Sequence, residues 1–324
     1  MTVRRVWSAV SWRLPRCDQR RTIRVIALRG EESAFFGRAY LGSSALFGKL
    51  TPQDLNQTNV RSGRPLSECM RDVGVDVERI ARGEALLDPA ALACWLELHI
   101  EQGPVLTARN LPVAVVTGIR GNIRHRAVEC LGEAGHSGAV PRWLRHDSVF
   151  AVAALLTRLD RHWCELLERG GDLVLTTGIA GTDPHEHALA RIPGRMTFSL
   201  DIRSQSRETM AAFYDLFTAE CRVLTADRGV EFSPGCRLEA APAWMDARLT
   251  ALLRRELRTS GLTDEPIPSG AGHDAAVFAN AGVPTGMIFV RDAHGSHNPG
   301  EAMEIADFMI GVNILKRTLR ELTA

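Results

Sequence analysis

The chain has 324 residues, of which 45% are hydrophobic and 24% charged, with 39 basic against 38 acidic side chains for a net charge of +1. That length suggests about two domains, and the composition is that of a folded globular protein rather than a disordered, collagen-like or coiled-coil chain. The near-neutral balance lacks the electrostatic footprint of a nucleic-acid binder, and no apolar run approaches the roughly 18 residues of a membrane span.

In chain order, the start is unusual: Arg4, Arg5, Arg13, Arg16, Arg20 and Arg21 face a single acid, Asp18. It is arginine-rich and acid-poor but has no continuous apolar core of the kind a secretory signal needs. Residues 23–28 (IRVIAL) are apolar and β-branched and predict a buried parallel strand ending at Glu31-Glu32. A helix, a turn and a polar loop are expected over 43–70. Asp88-Pro89 offers a capping oxygen and then a proline at the first helical position, so a helix carrying Leu92 and Trp95 inward is expected there. Residues 113–116 read as another apolar strand.

From about residue 126 the pattern changes. A strand at 126–131 precedes a long helix capped by Asp147, with Val149, Val152, Leu156, Leu159 and Trp163 at spacings of three and four. A strand at 172–178 follows, and then Met196, Phe198, Leu200 and Ile202 alternate with polar residues, the signature of a strand with one buried face. Ser206 caps a second long helix ended by Gly229, and a strand near 230–233 closes the series. The order β-α-β-β-α-β is that of a split, ferredoxin-like module. Strand–helix alternation resumes to the end of the chain. The expected architecture is therefore an α/β domain built from residues 1–118 and 234–324, with an α+β module, 119–233, inserted in it.

Cysteines number seven, are widely spread and form no C-x-x-C pair, which fits reduced thiols in a cytoplasmic protein. The candidate chemistry lies elsewhere. Glu31-Glu32 falls where open α/β sheets place their sites; one carboxylate can hold a metal while the other acts as general base, or the two can be a solvated loop pair. His99, in Glu97-Leu98-His99-Ile100-Glu101-Gln102, is singly a core histidine or a ligand. His297, in Gly295-Ser296-His297-Asn298-Pro299, is singly a loop histidine or a ligand. Taken as a set, an acid and two histidines at strand ends of one domain match the donors of zinc, manganese or cobalt. His136 follows a strand of the inserted module, His273 opens a helix and can orient an anion there, and Arg203 can grip a substrate carboxylate or form a surface ion pair. There is no G-x-S-x-G elbow, P-loop or dinucleotide fingerprint.

The segments RGEES (29–33), ELHIEQGPVL (97–106), TGIRGNIR (117–124), GEAGHSGAVPRWLRHD (132–147), IPG with LDIRS (192–204), SGAGHDA (269–275) and GSHNPGE (295–301) occur in one order. Together they resemble the hydantoinase/carbamoylase family of metal-dependent amidohydrolases, which includes N-carbamoyl-L-amino acid hydrolases, β-ureidopropionases and allantoate amidohydrolases. The likeness spans roughly residues 22–322. It implies an α/β, zinc-peptidase-like catalytic domain with an inserted ferredoxin-like lid that also makes a homodimer. It implies two divalent metals per chain and a small carbamoyl or ureido acid as substrate. By resemblance Glu31 is the general base, Glu32, His99 and His297 are metal ligands, and His136 stabilises the oxyanion in the partner's site. Gln102, Arg203 and His273 would hold the substrate. The resemblance also implies an earlier His-x-Asp and an Asp-Gly, and neither precedes Glu31, so the chain is expected to lack the family's first segment. Ala190 stands where many members have asparagine, and Ala139-Val140-Pro141-Arg142 where many have threonines and methionine. Two alternatives follow: the same fold without a competent dinuclear site, serving as a dimerising or binding protein, or an aminoacylase or dipeptidase on this scaffold.

Overall fold

The computed structural model describes residues 21–324, so the arginine-rich start lies outside the described residues. The main elements in chain order are β1 (Trp95–Ile100), β2 (Val113–Ile119), β3 (Gly121–Leu131), α1 (Ser148–Glu168), β4 (Val174–Thr176), β5 (Arg195–Ser204), α2 (Arg207–Arg228), β6 (Glu231–Ser233), β7 (Arg237–Ala240), α3 (Ala247–Thr259), β8 (Thr285–Val290) and α4 (Ile305–Thr323). They divide into two units. One runs up to Val116 and includes Met245–Ile267 and Val277–Ala324; the other is Thr117–Trp244 with Pro268–Ala276. The second unit thus reaches beyond 119–233, taking in β7 and the turn that carries His273.

In the first unit β1 runs parallel to β8, with Trp95 opposite Thr285 and Ile100 opposite Val290. On its other side β8 runs antiparallel to β2, with Ile288 opposite Val115. Every residue of β8 is buried, which explains its unbroken apolar run: both faces are covered, so no polar alternation is needed. Leu253 and Leu257 of α3 and Ile314 of α4 pack with Val113, Val115, Ile288 and Val290. Each such side chain contributes about 1.5–3 kcal/mol by leaving water. Asp246 caps α3 by accepting from the Leu249 N–H at 2.9 Å. Trp95 stacks on Phe278, ring centroids 3.8 Å apart, at the start of β1. A separate cluster of Leu41, Leu55, Leu66, Val77 and Ile80 joins the short helices Leu41–Leu46, Pro52–Leu55, Leu66–Asp72 and Val77–Ala81.

Two expectations are corrected here. Among the described residues, 23–28 form no strand, and Val25 is 83% exposed. An apolar β-branched run becomes a strand only where another backbone takes up its hydrogen bonds, which local composition does not report. Asp88 does cap, accepting from the Ala90 N–H at 2.9 Å, but the helix is a single turn, Pro89–Ala91. Trp95 belongs instead to β1, because pairing with β8 overrides the local helix start.

In the second unit β3 pairs antiparallel with β5, and β5 with β4. The far edge of β3 is shared: β7 lies opposite residues 122–125 and β6 opposite 129–131. The elements run β-α-β-β-α-β, as the periodicity predicts. Val152, Leu155 and Leu159 of α1 and Phe213, Phe217 and Leu224 of α2 share one core with Phe198, Leu200 and Ile202 of β5. The helix ends are set locally. Asp147 accepts from Val149 and Phe150, Ser206 accepts from Thr209, and Gly229 closes α2 at φ 63°, a left-handed conformation that glycine adopts without steric cost.

Candidate active site

Five of the expected site residues belong to the first unit. Glu31 and Glu32 follow the 23–28 stretch, which is not a strand, and are fixed by backbone bonds to the first helix. The carbonyls of Arg29, Gly30 and Glu31 accept from Gly42, Leu41 and Tyr40 at 2.8–3.0 Å. His99 is the penultimate residue of β1. Its Nδ1 lies 2.8 Å from the Ile100 carbonyl and donates there, which fixes the ring. A carboxylate oxygen of Glu31 and a ring nitrogen of His99 lie within 4.8 Å of each other.

A second acid–imidazole pair comes from the loop after β8. His297 Nε2 is 2.8 Å from Glu32 Oε1. Gln102 Nε2 approaches the same oxygen at 3.4 Å and Ser296 Oγ at 3.2 Å. Glu32, His99, Gln102 and Glu301 line one cleft whose apolar wall includes Leu98 and Phe308. Glu32 and His99 line this cleft, and with Glu31 and His297 they offer the oxygen and nitrogen donors that zinc, manganese and cobalt take, so these residues fit a divalent cation.

The other three expected residues lie in the second unit. His136 is exposed on the short strand Gly135–His136, which pairs with Arg191–Ile192, and its Nδ1 accepts from the Gly138 N–H at 3.2 Å. Arg203 grips the Asp201 carboxylate through Nε and Nη2 and donates from Nη1 to the Gly270 carbonyl at 2.6 Å. His273 is fully buried, its Nε2 2.8 Å from Ser269 Oγ. Arg203 and His273 therefore share the 269–273 turn, while His136 stands on a different hairpin.

Sequence reasoning passed over three acids. Glu101 is buried and accepts from the N–H groups of Val105 and Leu106 at 2.8 and 2.7 Å, capping the turn after Gln102. Asp292 is 3% exposed, and burial pushes its carboxyl above the usual range despite bonds from the Gln102 and Gly103 backbones. Glu301 accepts from Ser296 Oγ and the His297 N–H, and these bonds hold its carboxyl below the usual range. Glu101 and Glu301 carried a signal, their places in the ELHIEQGPVL and GSHNPGE segments, and Asp292 carried none.

Comparison with known proteins gives a consistent result. A family model described as peptidase family M20/M25/M40 matches residues 9–321. The chain is 33% identical over 301 residues to an N-carbamoyl-L-amino acid amidohydrolase of Geobacillus stearothermophilus, covering 93% of this chain and 71% of that one. It is 31% identical over 320 residues to the allantoate amidohydrolase of Escherichia coli K12, covering 98% and 75%. Among solved structures, a hydantoinase/carbamoylase family amidase from Burkholderia ambifaria superposes with a TM-score of 0.76 at 29% identity, over 92% of this chain and 69% of that one.

Proposed function

The chain belongs to peptidase family M20/M25/M40, and from that membership we propose that it is a metal-dependent amidohydrolase cutting the non-peptide C–N bond of N-carbamoyl or ureido acids. The observation that carries the reading is the contact of Glu32 with His297, Glu32 sharing one cleft with His99, which Glu31 approaches. Glu32, His99 and His297 would hold the divalent metal, zinc, manganese or cobalt, which when bound polarises the scissile carbonyl and acidifies water. Glu31, held by its backbone beside His99, takes the proton from the attacking water and returns it to the leaving nitrogen. By family resemblance Gln102, Arg203 and His273 hold the substrate, Arg203 through the substrate's carboxylate, and His136 stabilises the oxyanion in the partner's site.

A homodimer built through the second unit is part of the same reading, supported by the family resemblance. A cytoplasmic setting is supported by the free thiols Cys69, Cys94, Cys130, Cys164, Cys221 and Cys236. No described helix is long and apolar enough to cross a membrane.

The deciding assay offers the purified chain, supplied with zinc or manganese, a panel of N-carbamoyl-amino acids, allantoate and N-acyl-amino acids. Ammonia release from the carbamoyl or ureido compounds supports the reading. Turnover confined to N-acyl substrates replaces it with an aminoacylase, and no turnover of any substrate with no metal bound refutes it.

A further inference from the structure

Gln102, which lines the cleft, and His297, which contacts Glu32 there, hold a backbone conformation that side chains disfavour. Gln102 has φ 57° and His297 has φ 62°, both in the left-handed region where a non-glycine residue is strained and needs its surroundings to hold it. Each has its N–H bound by a carboxylate. Asp292 Oδ1 accepts from Gln102 N at 3.1 Å, and Glu301 Oε2 accepts from His297 N at 3.0 Å. Each then sends its side chain to one atom, Glu32 Oε1, at 3.4 Å from Gln102 Nε2 and 2.8 Å from His297 Nε2. Ser296 closes the circuit, its Oγ taking Gln102 Nε2 on one side and donating to Glu301 on the other.

We propose that Asp292 and Glu301 are positioning residues, a pair of carboxylate brackets that lock the left-handed backbones of Gln102 and His297 so that both side chains converge on Glu32. Asp292 acts through the Gln102 backbone and Glu301 through that of His297. Their energy offsets backbone strain at the two points from which Glu32 is addressed, much as outer-shell partners fix the orientation of metal ligands. The inference rests on the hydrolase reading only for what the converged group does, and not for how it is built.

The test uses the full chain freed of metal and the variants Glu301→Ala, Glu301→Gln and Asp292→Ala. Amide hydrogen exchange over residues 294–301 reads the bracket directly, and titration with Zn²⁺ alone reads its consequence. Glu301→Ala is expected to lose protection at the His297 amide and to weaken Zn²⁺ binding about tenfold or more. Glu301→Gln, which keeps an accepting oxygen, is expected to restore both. Glu301 is exposed and its bonds are local to the 296–301 loop, so the melting temperature of the metal-free protein should fall by no more than a few degrees. Asp292→Ala should show the same loss of protection at Gln102. Lost protection in Glu301→Ala with no zinc uptake even by the wild type would uphold the bracket and defeat the metal reading. Unchanged exchange and unchanged zinc affinity in Glu301→Ala would overturn the bracket.

Discussion

Glu32 and His297 stand 265 positions apart in the chain and meet through one 2.8 Å contact between Oε1 and Nε2. Their side chains are 50% and 67% exposed, so as an ion pair they add little to the stability of the fold. Their value lies in the donors they present. His297→Ala is therefore expected to cost about a hundredfold or more in kcat/KM while shifting the melting temperature by no more than a few degrees. Steady-state kinetics on an N-carbamoyl-amino acid alongside a thermal melt separates the two effects, and a large drop in melting temperature would show that the pair is structural.

Glu31 has a different expected signature. It is half-buried beside His99 and tied by its own carbonyl to the Tyr40 N–H. Glu31→Gln preserves size and the backbone tether but cannot take a proton. The expected result is a fall of about 10²–10⁴ in kcat with KM little changed, since a general base acts in the transition state. Wild-type kcat in this variant would remove Glu31 from the base role.

Metal removal is the third expectation. Dialysis against a strong chelator should abolish turnover, and zinc, manganese or cobalt added back should restore it, because carboxylate and imidazole donors bind reversibly and compete with chelators. Activity that survives complete removal, confirmed by elemental analysis, would exclude a metal from the reaction.

The second unit supplies a pH-dependent expectation. Burial opposes ionisation of Glu220 on α2, yet hydrogen bonds from Arg158 and His162 at 2.8 and 3.1 Å outweigh it and hold its carboxyl below the usual range. A carboxyl whose folded value lies below its unfolded value favours the fold when ionised. The gain is present above the ordinary value of 4.5 and is lost as pH falls through the lower folded value. Glu220→Gln should therefore cost about 1–2 kcal/mol at neutral pH, with the gap closing as pH falls below the ordinary value and through the lower folded one. Urea midpoints measured across pH 3–8 test this, and a gap constant over the series would rule out Glu220 as the titrating group.

The unequal legibility of the chain has a physical pattern. Caps such as Asp147 and Ser206 and the stop at Gly229 are local chemistry, acting within a few residues, and α1 and α2 fall where their side chains say. The 23–28 run and the Asp88 start fail for the opposite reason, because a strand's existence depends on a backbone far away, as Trp95 pairing with Thr285 illustrates. In the site, His99 and His297 stand out through their neighbours. Asp292 does not, because its role depends on Gln102 being left-handed, and no propensity assigns that conformation to a glutamine.

Gly132 tests the boundary between a functional and a structural motif. It opens the GEAGHSGAV segment, in which His136 draws the attention. A Cβ built on Gly132 would lie 2.0 Å from the carbonyl oxygen of His146 and 3.0 Å from its carbonyl carbon, both backbone atoms with no rotamer to yield. The close approach is where the chain returns: Glu133 N donates to that same His146 carbonyl at 2.9 Å, just before Asp147 caps α1. Gly132→Ala must push this return strand away from the cap. The expected cost is about 1–3 kcal/mol or more, of the kind that overpacking brings, expressed as a lower unfolding midpoint. Any loss of activity should then follow the loss of folded protein, with kcat per folded molecule unchanged. A variant as stable as wild type but inactive would place Gly132 in the chemistry instead.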